Sequence, residues 1–145
     1  MACEAAGEKG EMDRNASAGT SRRRQWAGYL LSSLVVVFLL MDGAMKLVPL
    51  DIVIETSRQL GIPADHARLL GVLTLGCTIL YAVPRTAVLG AILMTGYLGG
   101  AVATHVRAGS PLFTHVLFGV YLGIVMWGGL YLRNERLRAL IPFSL

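Results

Sequence analysis

The chain alternates between long apolar stretches and short polar connections over most of its length. Four stretches are long enough to cross a lipid bilayer as helices: Trp26–Met45, Ala64–Val83, Thr86–Val106 and Leu112–Leu132. A helix rises about 1.5 Å per residue, so about 20 apolar residues match a hydrocarbon core of about 30 Å. Because lipid offers backbone amides no partner, each segment must be helical. The pattern predicts an all-α integral membrane protein, an antiparallel four-helix transmembrane bundle with short loops.

The connections between the stretches are short enough to place consecutive helices side by side. The sequence Pro84-Arg85 is typical of a turn between the second and third spans, and Gly109-Ser110-Pro111 is typical of a turn between the third and fourth. Two helices joined by so few residues must pack against each other as an antiparallel hairpin. We therefore expect the second, third and fourth spans to be sequential neighbours.

The longest connection, Leu47–Pro63, has an amphipathic pattern of its own. Apolar residues recur in it at helical spacing, opposite charged and polar ones. Pro49 is typical of a helix start, and Gly61 followed by Pro63 is typical of a helix end. We predict a short helix that lies in the outer membrane interface or caps the bundle. Docking of a partner protein is the alternative.

Small residues recur at four-residue spacing in the third and fourth spans. Gly96 and Gly100 form one G-x-x-x-G pair, and Gly119 and Gly123 form another. Small residues at this spacing allow helix backbones to approach closely in membranes. We expect both pairs to pack inside the bundle, and a homo-oligomer that uses one of them as its interface is the alternative.

Residues 1–24 differ from the rest of the chain because they have no apolar periodicity. We predict a disordered polar N-terminal tail over 1–24 and a membrane domain over 25–145. With the N-terminus inside, four spans place nine basic residues on the inner side and four on the outer side. The inner residues are Lys9, Arg14, Arg22, Arg23, Arg24, Arg85, Arg133, Arg136 and Arg138, and the outer ones are Lys46, Arg58, Arg68 and Arg107. This excess predicts a multi-pass plasma or inner membrane protein with both termini in the cytoplasm.

The composition agrees with a membrane protein and excludes several other classes. Only 15% of the residues are charged and 54% are hydrophobic. The net charge of +4 comes from basic residues at the ends of the apolar segments, so we expect no nucleic-acid partner. Cys3 and Cys77 do not form a C-x-x-C motif, and a dithiol redox site is therefore not predicted. Neither a serine-nucleophile motif nor a phosphate-binding glycine loop is present.

The polar residues of the spans gather at one end of the predicted bundle, the outer one. They are Asp42, Lys46, His66, Arg68, His105, Arg107 and His115. Ionisable groups at membrane depth are costly and are therefore functional candidates. We predict a small ligand-binding pocket formed by Asp42, Lys46, His105 and His115. The alternative is that the lysine and arginines only extend towards the lipid headgroups.

At the same end, an acid–base pair and two histidines are expected to lie close together. Asp42 and Lys46 are four residues apart with the acid first, which favours an ion pair within one helix. The turn between the third and fourth spans brings His105 and His115 near each other. No H-x-x-x-H or H-E-x-x-H motif is present, so we predict no metal site and name no catalytic residue.

Several strings of the sequence resemble the DoxX-like membrane proteins over about residues 27–143. They are DGAMKL at 42–47, PRTAVLGA at 84–91, TGYLGGAVATH at 95–105, WGGLYLR at 127–133 and RLRALIP at 136–142. The resemblance implies a four-helix integral membrane protein of a family that is mostly bacterial. The family takes its name from a subunit of a terminal quinol oxidase, and other members are linked to membrane-associated oxidoreductase complexes.

The resemblance implies an accessory subunit of a membrane redox or quinone-linked complex, with a membrane or peripheral oxidoreductase as its partner. Because this chain lacks a cysteine pair and a haem-binding pattern, we expect a non-catalytic subunit rather than an enzyme. The residues identify no cofactor, and a quinone is compatible with the resemblance. Two alternatives stay open: a small-molecule or proton-coupled carrier in which Asp42 and His105 titrate, and a structural membrane scaffold without ligand.

Overall fold

The structure, a computed structural model, describes residues 2–48 and 50–140, and it describes their side chains except at 2–18, 20, 64 and 65. Within this part of the chain every regular element is helical, which confirms the all-α prediction. The elements are α1 (Ala2–Leu47), α2 (Asp51–Gln59), α3 (Ala64–Ala82), α4 (Ala87–Arg107), a π-helical turn (Leu112–Val116), α5 (Leu117–Arg133) and α6 (Glu135–Leu140).

Three helical segments among the described residues are long and apolar enough to cross a membrane. They are Ser21–Leu47 within α1, Ala87–Arg107, and Leu112–Arg133, which combines the π-helical turn with α5. They coincide with the predicted first, third and fourth spans and support a membrane protein. The predicted second span corresponds to α3, whose apolar part His66–Ala82 is shorter than the other three.

Helix α1 is much longer than the predicted first span, because it begins at Ala2. It includes the backbone of residues 2–24, for which the sequence predicts a disordered tail. This segment contains alanine, glutamate, methionine and arginine, which are good helix formers, and a helix once formed extends easily from a stable neighbour. The apolar part begins only at Ser21. The division into a polar tail and a membrane domain over 25–145 stays a prediction.

The four long helices pack side by side in a closed ring. Helix α1 contacts α3 and α5, and α4 contacts the same two helices from the opposite side. The interior is filled by the following buried apolar residues: Val35, Leu39, Tyr81, Ala87, Ala91, Met94, Leu98, Met126 and Leu130. The outward faces are apolar as well, since Leu30 is 68% and Ile124 is 65% exposed. Surfaces of this kind are stable in contact with lipid and unfavourable in water.

The connections between the helices follow the predicted turns. Helix α2 occupies the predicted amphipathic connection and contacts α3, while Pro49 lies outside the described residues. Gly61 follows this helix with a φ of +68°, and Gly109 has the same φ of +68° between α4 and the π-helical turn. Glycine is favoured at both positions because side chains strain a left-handed backbone. The turn at Pro84 and Arg85 links α3 directly to α4.

The glycines at the helix contacts are only partly those that the G-x-x-x-G spacing singles out. Gly119 does pack inside, because a Cβ there would lie 2.9 Å from Val102 Cγ2. The prediction is wrong for Gly96 and Gly100: in the described part of the chain nothing lies within 4 Å of a Cβ built on either residue. The closest backbone approach is instead at Gly90, which lies against the last turn of α3.

Candidate functional site

A cavity of about 380 Å³ lies at the end of the helical ring where α1 and α4 finish and α3 begins. We call it the Lys46 pocket. Its walls come from α1, α3, α4 and the connection after α2: Lys46, Leu60, Ile62, Leu70, Gly96, Tyr97, Gly100, Ala101, Thr104 and His105. Two of the four predicted ligand-binding residues, Lys46 and His105, therefore line one cavity. Most of the other walls are apolar.

Lys46 is held in place by the residues on two sides of it. Its Nζ donates to Asp42 Oδ2, one helical turn deeper in α1, as the i,i+4 spacing predicts. The same nitrogen lies 6.0 Å from the centroid of the Tyr97 ring, within the range of a weak cation–π contact. Lys46 also lies in the last turn of α1, where a cation is favoured by the helix dipole. The ammonium group is therefore oriented at the pocket wall.

His105 reaches the pocket from the last turn of α4. Its Nδ1 lies 3.0 Å from Ser110 Oγ, so the turn that contains Gly109 fixes the orientation of the ring. The His115 ring lies 5.6 Å from the His105 ring, which confirms the predicted proximity of the two histidines. His115 is exposed on the π-helical turn, with its Nδ1 2.8 Å from Thr114 Oγ1. It flanks the pocket and does not line it.

The four predicted residues thus form a series across one end of the bundle. Asp42 contacts Lys46, Lys46 and His105 line the cavity, and His115 contacts His105. The other polar residues of this end, His66, Arg68 and Arg107, are exposed, as expected of side chains that extend towards headgroups. Within the described residues no group of three or more histidine, cysteine or acidic side chains is arranged for a metal ion.

The pocket exists because α4 presents glycines on this face. Gly96 and Gly100 line the cavity, and the absence of their side chains leaves the space open. The sequence pattern led us to expect helix packing at these positions. A G-x-x-x-G pair indicates a smooth groove along a helix, but it does not say whether a neighbouring helix or a ligand fills that groove.

A second polar cluster, at the opposite end of the bundle, was missed by the sequence reasoning. Tyr81 is 0% exposed, and its hydroxyl donates to the Met126 carbonyl at 2.9 Å. Ser32 Oγ lies 3.0 Å from the same hydroxyl, and Arg133 donates to the Tyr81 carbonyl at 2.9 Å. We call Ser32, Tyr81, Met126 and Arg133 the Tyr81 cluster. The recurrence of Thr74, Thr78 and Tyr81 on one face of the second span is the sequence pattern that could have indicated a buried polar cluster.

The Asp42–Lys46 pair provides a test of how far water reaches the charged side chains at this end of the bundle. The Lys46 side chain is 25% and the Asp42 side chain is 34% exposed. Removal of one partner should therefore cost more stability than at a surface ion pair and less than at a fully buried one. We expect Lys46→Met alone to lower the free energy of unfolding by about 1 kcal/mol, and Asp42→Leu with Lys46→Met to lower it less. SDS titration in detergent micelles measures both. Small, additive effects of Asp42→Leu and Lys46→Met would mean that each side chain reaches water separately.

Comparison with known protein families gives a match to this chain. The profile of the DoxX-like family matches residues 30–129. The match includes all four residues of the series from Asp42 to His115, and it ends before α6. No curated protein and no solved structure matches the chain.

Proposed function

The chain belongs to the DoxX-like family, and from this we propose that it is a non-catalytic membrane subunit that holds a quinone in the Lys46 pocket for a redox complex. The observation that carries the proposal is the composition of the cavity. An oriented ammonium and an imidazole lie among apolar walls in about 380 Å³. Ligand sites of proteins are of this size and combine apolar walls with a few placed polar groups.

The proposed setting is an antiparallel four-helix transmembrane bundle in the plasma or inner membrane. In support, residues near the start of the apolar part of α1, which begins at Ser21, lie against the end of α5, as Gly28 does against Arg133, and Phe38 contacts Phe118. Helix α3 takes its place in the ring between α1 and α4, which supports a fourth span. The excess of inner basic residues supports cytoplasmic termini. Labelling of Ala108→Cys from the outer side, in a chain without Cys3 and Cys77, tests this orientation.

A quinone fits the chemistry of the pocket walls. Its ring is planar and apolar, and its two carbonyl oxygens accept hydrogen bonds. Lys46 Nζ can donate to one carbonyl. His105 can donate to the other through Nε2, which has no partner in the part of the chain that the structure describes, when Nδ1 accepts from Ser110. The ring of Tyr97 provides an apolar surface beside the ligand. The Lys46 ammonium is a charge-assisted donor, which binds a carbonyl group more strongly than a neutral donor does.

The proposed role of the chain is to bind the quinone and position it, while a partner oxidoreductase supplies the electrons. His105 lies on the pocket wall, and its imidazole is a group that can exchange a proton with a bound quinol. His115 lies beside it and offers a route for that proton towards the surface. The ion pair with Asp42 keeps the Lys46 side chain oriented at the pocket wall.

Titration of the purified chain with a short-chain benzoquinone tests the proposal. We expect saturable binding, weakened about tenfold or more by Lys46→Met, since a hydrogen bond from a charged group contributes about 1.5–3 kcal/mol. His105→Ala should weaken it about threefold to tenfold, since a neutral hydrogen bond contributes about 0.5–1.5 kcal/mol. The matched controls are Arg68→Met and His66→Ala, which remove an exposed cation and an exposed histidine at the same end. Their affinity should equal that of the native chain. Equal affinity of all five proteins, or no binding at all, would contradict a quinone site at this pocket.

A second candidate function is a small-molecule or proton-coupled carrier. The observation that favours it is the grouping of three titratable side chains at this end: Lys46 and His105 line the cavity, and Asp42 pairs with Lys46. Uptake of a small organic acid into liposomes that contain only this chain would support the carrier, and its loss in Asp42→Asn would identify the coupling group. If neither binding nor uptake is found, a structural scaffold is the remaining function.

A further inference from the structure

At the other end of the bundle, a cavity of about 490 Å³ lies between the first turns of the apolar part of α1, the turn after α3 and the junction of α5 with α6. We call it the Arg133 pocket. It is lined by Tyr29, Pro84, Arg85, Ala87, Leu130, Arg133, Asn134, Glu135 and Arg136. We propose that this pocket binds the phosphate group of an anionic phospholipid. The site is distinct from the Lys46 pocket and does not depend on the function proposed above.

Arg133 is oriented by the protein before any ligand binds. Its guanidinium carbon lies 4.9 Å from the centroid of the Tyr81 ring, and one terminal nitrogen donates to the Tyr81 carbonyl at 2.9 Å. The Tyr29 ring is 6.0 Å away on the cavity side. A guanidinium has five N–H donors in a fixed plane, so most of them stay available for an anion. An arginine held in this way loses little conformational entropy when it binds phosphate.

The charges at the pocket are not balanced. Arg85, Arg133 and Arg136 line it together with a single acid, Glu135. That carboxylate is shared, because Glu135 Oε1 lies 3.4 Å from a nitrogen of Arg138 and accepts from Gln25 at 3.2 Å. No ion pair joins the three pocket arginines to an acid among the described side chains. The pocket therefore favours an anion.

The donors for this anion are side chains and not the start of α6. Asn134 Oδ1 accepts hydrogen bonds from the backbone amides of Arg136 at 3.1 Å and Leu137 at 3.2 Å, so it already caps this short helix. Phosphate oxygens match the fork of N–H groups on an arginine, and several arginines around one anion are the usual arrangement for phosphate recognition.

A second cavity, adjoining the first, indicates that the phosphate belongs to a lipid. This groove has a volume of about 320 Å³ and is lined by Tyr29, Ser32, Ser33, Val36, Val37, Ala82, Pro84 and Arg133. It shares Tyr29, Pro84 and Arg133 with the Arg133 pocket and continues along α1 towards Val37. From Tyr29 to Val37 the helix rises by about 12 Å, which is therefore the length of the groove along α1. A basic pocket joined to a largely apolar groove fits a headgroup phosphate with the beginning of an acyl chain.

The expected orientation of the chain agrees with this occupant. The Arg133 pocket lies at the end that carries the excess of basic residues, which the sequence places in the cytoplasm. Anionic lipids are enriched in cytoplasmic leaflets, and basic pockets between helices on this side bind their headgroups. Free phosphate shares the anion chemistry, but it would leave the adjoining groove unused.

Native mass spectrometry of the full chain in a neutral detergent tests the proposal. We titrate it with phosphatidylglycerol and, separately, with phosphatidylcholine. We expect one phosphatidylglycerol to bind about tenfold more tightly than phosphatidylcholine, and Arg85→Gln with Arg136→Gln to remove this preference, since nearby arginines supply the attraction for an anionic headgroup. The matched control is Arg68→Gln with Arg107→Gln, which removes two exposed arginines from the opposite end. This control should keep the preference.

Two further arms distinguish the lipid from free phosphate. Val37→Trp fills the groove and leaves the arginines in place, so it should weaken phosphatidylglycerol binding. Inorganic phosphate in excess should fail to displace the lipid. If inorganic phosphate displaced the lipid at similar affinity, the ligand of this pocket would be free phosphate and not a lipid. The proposed site would be wrong if the native chain bound the two lipids equally. It would also be wrong if the control variant, Arg68→Gln with Arg107→Gln, lost the preference for phosphatidylglycerol as fully as Arg85→Gln with Arg136→Gln does.

Discussion

Replacing Gly90 with alanine is expected to lower the free energy of unfolding by about 3 kcal/mol, at the upper end of what overpacking costs. A Cβ at this position would lie 2.6 Å from Tyr81 Cα and 2.7 Å from the carbonyl carbon of Leu80. Both atoms belong to the backbone of α3, so no flexible side chain can move aside. The two helices would have to separate where they are joined by the turn at Pro84.

Gly96→Ala is the matched control for this change, because it makes the same substitution in the same helix. Nothing in the described structure lies within 4 Å of a Cβ at Gly96. Alanine favours a helix over glycine by up to about 1 kcal/mol, so the control should be neutral or slightly stabilising. Both variants are compared with the native chain by SDS titration in micelles. If Gly90→Ala were as stable as Gly96→Ala, α3 and α4 would not touch at this point.

The contact at Gly90 also matters for the Lys46 pocket. Helices α3 and α4 touch backbone to backbone at Gly90, while at the other end of the same pair the cavity lies between Leu70 and the face of α4 that carries Gly96 and Gly100. Separation of the helices at Gly90 would change the angle between them and so the width of the cavity. We therefore expect the quinone binding that we propose for this pocket to be weaker in Gly90→Ala than in the native chain.

Features that depend on spacing along one segment could be predicted from the sequence. The contact of Asp42 with Lys46 follows from one helical turn, and that of His105 with His115 follows from a short connection. The turn at Gly109 was visible for the same reason, since glycine and proline favour particular backbone angles. The presence of the helices could be predicted equally well, because a single apolar segment in lipid can satisfy its backbone hydrogen bonds only as a helix.

Features that depend on which face a helix turns inward could not be predicted. Helices α3 and α4 are apolar on all sides, so their hydrophobic pattern does not distinguish a lipid-facing side from a buried one. The sequence therefore assigned Gly96 and Gly100 to packing, although they line a cavity, and it overlooked Gly90. Arg133 was counted only as an inner positive charge, because its contact with Tyr81 joins residues far apart in the chain.

Tyr81→Phe is expected to lower the free energy of unfolding by about 2 kcal/mol, because it removes one hydroxyl from a buried network. That hydroxyl donates to the Met126 carbonyl and lies 3.0 Å from Ser32 Oγ, so it joins α3 to both α1 and α5. Ser32 is 2% exposed, and the change leaves its hydroxyl without this partner away from water. Arg133 keeps its contacts, since it binds the ring and the carbonyl of residue 81.

Two companion variants separate the network from a general effect of the substitution. Tyr121→Phe makes the same change on α5 at a side chain that is 48% exposed, and exposed changes of this kind usually stay within about 0.5 kcal/mol. Ser32→Ala combined with Tyr81→Phe removes both hydroxyls and leaves neither unpaired. Because partners in one network couple, this double variant should cost less than the sum of the two single ones. Additive costs, measured by SDS titration, would mean that Ser32 and Tyr81 are satisfied independently, and the Tyr81 cluster would then not link the three helices.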